Sequence, residues 1–326
     1  MLLPFEILYF FGVSTKLLAY KIGIFRQKKV TGVKIICVGN LSAGGTGKTP
    51  TVLHLLQELQ KSNEKIAVVS RGYKKGKSEQ FNDEGSMINA MFPEVLQFQN
   101  PDRYSACVEA KNAGATVIIL DDGFSHLKLA RDIDIVLIDA TRPFSNFELL
   151  PRGLLREPLN SLKRASGIII TRSDQVDPEK LRRLRCKIEK YMTSDAKIML
   201  ASHEPVSFSD IFESKTYGVN DFKGKKAVAF AGIGNPKSFK ETCEEIGLET
   251  AEFIEFADHH SYSQSEIEDV INRAKEVGAE IIVTTSKDAV KISKLPMKPN
   301  LPMFALEIKF MLNSEDDEKL KKLLGF

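Results

Sequence analysis

The run Gly39-Asn40-Leu41-Ser42-Ala43-Gly44-Gly45-Thr46-Gly47-Lys48-Thr49-Pro50 carries the chemistry of phosphate binding. Glycines let backbone N–H groups converge on phosphate oxygens, and a helix opening at the end of the loop adds partial positive charge. Gly44, Gly45, Thr46 and Gly47 supply that cradle, Lys48 is placed to reach the β- and γ-phosphates, and the Thr49 hydroxyl is placed to ligate Mg²⁺. Ser42 stands where the first glycine of such a loop usually sits. The alternative is a chance glycine-rich turn. An apolar strand pattern before the loop (Lys34 to Val38) and a helical pattern after it favour the phosphate loop, because that context defines the motif.

A second signal is Val117-Ile118-Ile119-Leu120-Asp121-Asp122-Gly123, an apolar strand ending in acid. Alone it reads equally as a turn or cap. Downstream of a phosphate loop it is the arrangement that sets a carboxylate beside the nucleotide's Mg²⁺. Ile135 to Asp139 (IVLID) competes for the same role but lacks the paired carboxylates. Ser70-Arg71-Gly72-Tyr73 follows another strand pattern, at the carboxyl edge where α/β sheets place ligands. Asp258-His259-His260 follows the strand pattern Phe253 to Phe256, and two histidines beside an Asp suit acid–base work as well as a structural role.

These residues need a parallel sheet to position them. β-Branched runs recur at 34–38, 65–69, 116–120, 134–138 and 167–170, with helix-like stretches at 51–61 and 105–113. Near-continuous apolar strands spaced by amphipathic helices indicate a parallel sheet covered on both faces. The pattern pauses at 202–225 and restarts at 227–231, 253–256 and 280–284, so a boundary is expected near 210, with a smaller α/β unit beyond it. Met303 to Phe310 alternates like a strand and is expected to pair with the chain near 205–215 as a two-stranded connector, before a closing helix from Glu315. The expected division is 1–30, 31–210 and 211–326.

Composition narrows the class. The chain has 326 residues, room for about two domains. Its 43% hydrophobic and 27% charged content excludes wholesale disorder. A balance of 46 Lys+Arg against 43 Asp+Glu argues against a nucleic-acid-coating protein. Cys37, Cys107, Cys186 and Cys243 lie far apart, which disfavours a disulfide framework or structural zinc and suits a reducing compartment. The stretch Leu2 to Phe25 is mostly apolar but interrupted by Glu6, Lys16 and Lys21, too short in its uncharged runs to span a bilayer. Phe5, Leu8, Tyr9, Val13 and Leu17 fall near one stripe. Two readings stand: a core helix, or a helix lying in a bilayer interface with Arg26, Lys28 and Lys29 near anionic head groups.

The ordered set GNLSAGGTGKTP, SRGY, DDGF-x-H, RD-x-D-x-x-x-x-DA, LLPRG-x-LREP, DHH and TTSKDAVK resembles the tetraacyldisaccharide 4'-kinases of lipid A biosynthesis. It runs from about residue 36 to residue 291, and DDGF with LREP and the late DHH is its most specific part. The resemblance implies ATP-dependent phosphorylation of the 4'-hydroxyl of a lipid A precursor, a tetraacyl glucosamine disaccharide-1-phosphate, at the cytoplasmic face of an inner membrane. It implies a P-loop NTPase-like three-layer α/β/α domain and a second, smaller α/β domain joined by a two-stranded linker, with the active site in the cleft between them. The N-terminal helix becomes a contact with the inner-membrane surface. No nucleic acid and no obligate protein partner is implied.

Residue by residue, Lys48 and Thr49 match the phosphate and Mg²⁺ positions, Asp121 the Walker B acid, and Glu157 of LREP a second acid near the metal. Asp83 matches the base that activates the sugar hydroxyl and His259 its dyad partner; with a boundary near 210 the two fall in different domains and are expected to meet only on domain closure. Tyr73, Asp122 and His126 match positions near the lipid's sugar head. Ser125 replaces the usual Gln after DDGF, and NDEG replaces GDEP around Asp83. Two other classes share the phosphate loop. A switch GTPase needs [NT]KxD, which Thr171 to Asp174 and Thr285 to Asp288 approach without matching; a partitioning ATPase needs a Lys where Ala43 stands.

Overall fold

In the computed structural model, which describes residues 2–72, 81–144, 147–213, 215–297 and 299–325, the strand before the phosphate loop feeds two cores at once. This strand, β1 (Lys34–Asn40), sends Ile35 and Cys37 into one apolar cluster and Ile36 and Val38 into another. Alternation of period two, with both faces apolar, is what a parallel strand covered on both sides requires. β2 (Ile66–Ser70) divides the same way, Ala67 and Val69 against Ile66 and Val68.

The chain forms two compact units. In the larger one, β3 (Leu96–Gln99), β4 (Val117–Asp121), β5 (Ile133–Asp139), β6 (Gly167–Thr171) and the first part of β7 (Lys197–Asp210) complete a parallel sheet of order β7-β6-β5-β1-β4-β2-β3. α2 (Lys48–Leu59) covers one face through Val52, Leu55, Leu56 and Leu59. The C-terminal helix α9 (Ser314–Leu324) joins that face through Leu320 and Leu324. α4 (Arg103–Asn112) and α5 (Pro178–Glu189) cover the other face, through Ala106, Cys107 and Ala110 and through Leu184 and Ile188.

The smaller unit has the order β10-β9-β11-β12-β7, from β9 (Lys226–Ala231), β10 (Glu249–Glu255), β11 (Ile281–Thr285), β12 (Met303–Leu312) and the second part of β7. A short β8 (Thr216–Gly218) pairs antiparallel with β7. α6 (Pro236–Glu245) and α7 (Gln264–Glu276) lie on opposite faces, Phe239 and Cys243 in one core and Ile267, Val270 and Ile271 in the other. α8 (Ser286–Ile292) follows β11 directly.

Three sequence expectations change. The pause at 202–225 is partly strand, because β7 runs unbroken to Asp210, where Ser207 and Ser209 hydroxyls both bond the Glu307 carboxylate of β12. The closing helix belongs to the larger unit, since Asp316 accepts the Leu200 N–H at 2.9 Å and Leu320 packs into that core. Residues 81–87, which open α3 (Asp83–Met91), belong to the smaller unit and not to a 31–210 domain, so Asp83 and His259 need no closure to meet.

The N-terminal helix α1 (Leu3–Lys21) also departs from its expected stripe. Glu6, Tyr9, Val13, Leu17 and Tyr20 are half-buried, at helical spacing, while Phe5 and Leu8 point away, 60% and 68% exposed. Among the described residues no helix is long and apolar enough to cross a membrane.

Phe230 is fully buried between Phe256 and Tyr262. Phe230→Ala is expected to destabilise the smaller unit by about 3–5 kcal/mol, the usual cost of an aromatic cavity. Leu8→Ala should stay within about 0.5 kcal/mol. Urea unfolding followed by fluorescence and circular dichroism checks both.

Candidate active site

The phosphate loop leaves β1 and enters α2 through Gly47, whose φ of 85° is in the left-handed region, as is Gly44 at 109°. These are the positions where the loop needs glycine. Ser42 has no such φ and makes a backbone bridge to Leu155, so a side chain there costs nothing. The loop is fastened from several sides. Thr171 Oγ1 donates to the Thr46 carbonyl at 3.0 Å, Thr51 Oγ1 to the Gly47 carbonyl at 2.9 Å, and Asn40 Nδ2 to Thr46 Oγ1 at 2.9 Å. Arg172 donates to the Gly45 carbonyl at 3.2 Å and pairs with Asp139 at 2.6 Å, both side chains buried. Asp139, the competing acid of IVLID, is therefore a strut beneath the loop. From the other side Ala43 N–H donates to the Leu154 carbonyl and Arg156 N–H to the Leu41 carbonyl, each at 2.7 Å.

β4 lies beside β1 with Val38 opposite Asp121, which delivers the buried Asp121 carboxylate to the edge where the loop begins. Asp122, next in sequence, has φ 51° and faces the same loop. Arg156 grips it with two bonds of 2.8 and 3.1 Å, and Lys48 Nζ stands 4.0 Å away. Burial raises the Asp122 pKa, but Lys48 and Arg156 outweigh burial and hold it at about 2, so it is ionised at any physiological pH. The Arg156 guanidinium also bonds the Asn40 side chain. DDGF is coupled to the loop sterically as well: a Cβ on Gly39 would lie 2.7 Å from the Phe124 Cβ and 3.0 Å from its backbone N.

The expected metal group is only partly gathered. Thr49 is the second residue of α2 and Asp121 ends the adjacent strand. Glu157 is buried with its carboxylate 2.8 Å from Arg164, which lies over the Phe124 ring. Among the described residues no three acidic, His or Cys side chains form a metal cage. That donor set fits Mg²⁺, which takes one or two carboxylates and completes its shell with phosphate oxygens and water. His126 follows the Asp121–Asp122 turn, with Nε2 buried and without a hydrogen-bond partner among the described residues. Burial, then Arg103 and Arg131, press its pKa down to about 4, so the ring is neutral at pH 7. Tyr73 lies outside the described residues.

A second cluster forms within the smaller unit. Asp83 opens α3, and its Oδ2 lies 3.0 Å from Lys291 Nζ and 3.6 Å from His259 Nδ1. Lys287 Nζ is 3.3 Å from His259 Nε2 and 3.4 Å from Glu84. An ammonium only donates, so Nε2 facing it accepts and the ring proton is assigned to Nδ1, towards Asp83. Both lysines come from α8, whose start is fixed by the fully buried Asp288, bonded to Thr285 Oγ1 at 2.7 Å and Gly232 N–H at 3.0 Å. Burial raises the Asp83 pKa, yet His259, Lys291 and Lys287 outweigh it and the net shift is downward.

LREP enters the sequence reading for its glutamate, and TTSKDAVK as part of the family resemblance and as a near-miss for guanine recognition, with no role given to its lysines. That reading passed over Arg156, Lys287 and Lys291, and over Arg172, which braces the loop. The signal available was a basic residue inside each otherwise specific motif.

A parallel sheet with a glycine loop after β1 and an acid at the end of the neighbouring β4 defines a P-loop nucleotide-binding protein. Residues 1–325 match the family model described as Tetraacyldisaccharide-1-P 4'-kinase. A tetraacyldisaccharide 4'-kinase of Halothermothrix orenii is 33% identical over 96% of this chain and 88% of its own length, and one of Desulfotalea psychrophila is 34% identical over 98% and 94%. The crystal structure of LpxK from Aquifex aeolicus in complex with ATP superposes with a TM-score of 0.75 at 30% identity, covering 99% of this chain and 97% of that one. The chain belongs to the tetraacyldisaccharide-1-P 4'-kinase family, and the kinase activity of lipid A biosynthesis, with ATP and Mg²⁺, goes with that membership.

The Asp83 environment gives a pH prediction. A carboxylate with a depressed pKa stays ionised below its ordinary range. Lys291→Met removes a cation and leaves the burial, so the Asp83 pKa should rise towards the ordinary carboxylate range. Lys291→Arg should keep it near its wild-type position. NMR titration of the Asp83 side-chain carboxyl carbon in the three proteins is the measurement.

Proposed function

We propose that Lys48, Thr49, Asp121, Asp83 and His259 divide between them the transfer of the γ-phosphoryl group of ATP to the 4'-hydroxyl of a tetraacyl disaccharide-1-phosphate. Gly44 to Gly47 offer backbone N–H groups to the phosphates, and Lys48 neutralises charge on the migrating group. Thr49 and Asp121 would hold Mg²⁺, which when bound offsets phosphate charge; Glu157 would join them only by exchanging Arg164 for the metal. The bond between the γ-phosphorus and the ADP oxygen breaks, a bond to the sugar oxygen forms, and the hydroxyl proton passes to Asp83.

The observation that carries this assignment is the Asp83 carboxylate, kept ionised by His259 and Lys291 although half-buried. A sugar hydroxyl is a poor nucleophile at neutral pH, so an ionised acceptor is what the reaction lacks without the enzyme. Asp122 and His126, with Tyr73, are assigned to the sugar head, Asp122 through the same carboxylate that faces Lys48.

The enzyme works at the cytoplasmic face of the inner membrane as a peripheral protein. Supporting this, Phe5, Leu8, Phe11, Ile24 and Phe25 are all more than half exposed on and just after α1, with Arg26, Lys28 and Lys29 next in sequence. An apolar surface of this kind edged by cations suits the boundary between head groups and acyl chains.

Incubation with γ-labelled ATP and tetraacyl disaccharide-1-phosphate should move label to lipid. Lys48→Ala should lower turnover by about 100-fold or more, the usual worth of one such contact. Asp83→Ala and His259→Ala should each lower kcat strongly with ATP affinity little changed. The double variant should be far less impaired than the product of the single losses, because residues acting as a unit are non-additive. A wild-type rate for Asp83→Ala would move the base to another acid, Asp122 first.

A further inference from the structure

The half-buried stripe of α1 ends on the nucleotide site. Tyr9 OH donates to the backbone carbonyl of Arg156 at 2.9 Å. Glu6 accepts the Leu149 N–H at 3.0 Å and lies 3.4 Å from Arg152. These two residues therefore hold both ends of the segment 149–156, which packs along the phosphate loop. That segment bonds Ala43 N–H through the Leu154 carbonyl, and it bonds the Leu41 carbonyl through Arg156 N–H. Its last side chain grips Asp122 and Asn40. The segment behind Asp122 is reached as well, by Lys16 of α1, which donates to the Ser125 carbonyl at 3.2 Å, and by Gln27 beyond it, which donates to the Leu127 carbonyl at 3.1 Å.

A helix serving only as a membrane float would need no polar contacts with the segment that packs on the phosphate loop. Here a phenol and a carboxylate occupy the half-buried inner face and each meets a backbone group of that one segment. Arg156 is held at three points: its N–H by Leu41, its carbonyl by Tyr9, and its guanidinium by Asp122 and Asn40. Loss of the Tyr9 bond leaves the Arg156 carbonyl without that donor and loosens the residue that fixes Asp122 opposite Lys48.

We propose that Glu6 and Tyr9 are positioning residues for ATP binding, acting through segment 149–156, so that α1 braces the nucleotide site with one face while the other meets the membrane. The inference rests on the assignment of the Lys48 loop to ATP. Removing residues 1 to about 25 should therefore impair ATP binding as well as lipid access.

The test is calorimetric titration of Mg·ATP into the full chain in detergent without lipid, alongside pelleting with anionic phospholipid vesicles. Tyr9→Phe, which keeps the ring and its packing, and Glu6→Ala should each raise the Kd for ATP about two- to five-fold, the scale of one hydrogen bond. Glu6→Gln, which retains an acceptor for Leu149, should recover most of that loss. Phe5→Ser with Leu8→Ser should reduce pelleting and leave the ATP Kd at the wild-type value. The brace is overturned if Tyr9→Phe and Glu6→Ala bind ATP as tightly as wild type while Lys48→Ala does not, or if the Phe5/Leu8 variant weakens ATP binding equally. Unchanged binding in Lys48→Ala would overturn the loop assignment, and the brace with it.

Discussion

The ion pair between Arg156 and Asp122 is the contact on which the geometry around the phosphate loop depends. It closes a ring of bonds running from Asn40 at the end of β1, through Arg156, to Asp122 just past β4. β1 and β4 are neighbours in the sheet, so the backbone already brings the loop and the two acids to one edge. The sheet leaves open which way the acids face. Asp122 adopts a left-handed φ, uncommon outside glycine but tolerated by Asp, and a two-bonded guanidinium is enough to hold it there. The result is a carboxylate kept ionised against Lys48, setting the lysine's direction at the mouth of the loop.

The smaller unit solves a related problem with different parts. The Asp83 carboxylate is half-buried, and burial alone would push it towards the neutral form. Two lysines one helical turn apart on α8 supply the compensation, Lys291 directly to Asp83 and Lys287 to the far nitrogen of His259. Their spacing of four residues puts both ammonium groups on one helix face. Asp288, fully buried, locks the start of the helix through Thr285 and Gly232 with one oxygen and lies 3.7 Å from Lys291 Nζ with the other. The SKDAVK motif is thus one device: an anchor pointing inward, and two cations pointing to the acid.

Strand content was largely legible because parallel strands buried on both faces leave runs such as VIILD and IVLID that few other structures use. The phosphate loop was legible because its glycines and lysine must sit in a fixed order between a strand and a helix. Membership of segments in one unit or the other was not. Residues 81–87 and 310–325 each go to the unit that a linear cut would deny them, through contacts such as Asp83 with Lys291 and Asp316 with Leu200 that no local pattern encodes. The N-terminal helix was half legible. Its apolar content was plain, but a stripe drawn through Phe5, Leu8 and Tyr9 mixed residues from two faces, because hydrophobicity marks both a core and a membrane. Glu6 was the informative residue: a lone acid in an apolar helix needs a partner, and it found a backbone N–H and an arginine.

The same logic separates Asp139 from Asp121, two acids at the ends of adjacent-looking strands. Asp139 accepts from Thr141 at 2.7 Å on one oxygen and from Arg172 on the other. A buried pair of this kind does little for net stability, since desolvation consumes most of the Coulomb gain. What it secures is geometry: Arg172, itself at a left-handed φ, is held so that the same Nη1 that donates to Asp139 also donates to the Gly45 carbonyl. A carbonyl engaged from beneath leaves the N–H groups of the same loop free to turn the other way, towards an anion. The segment Thr171 to Asp174, which in sequence looks like a damaged guanine-reading motif, is on this account the floor of the phosphate loop. Thr171 bonds the Thr46 carbonyl and Arg172 the Gly45 carbonyl, and each spends its polar atoms on the backbone that shapes the cradle.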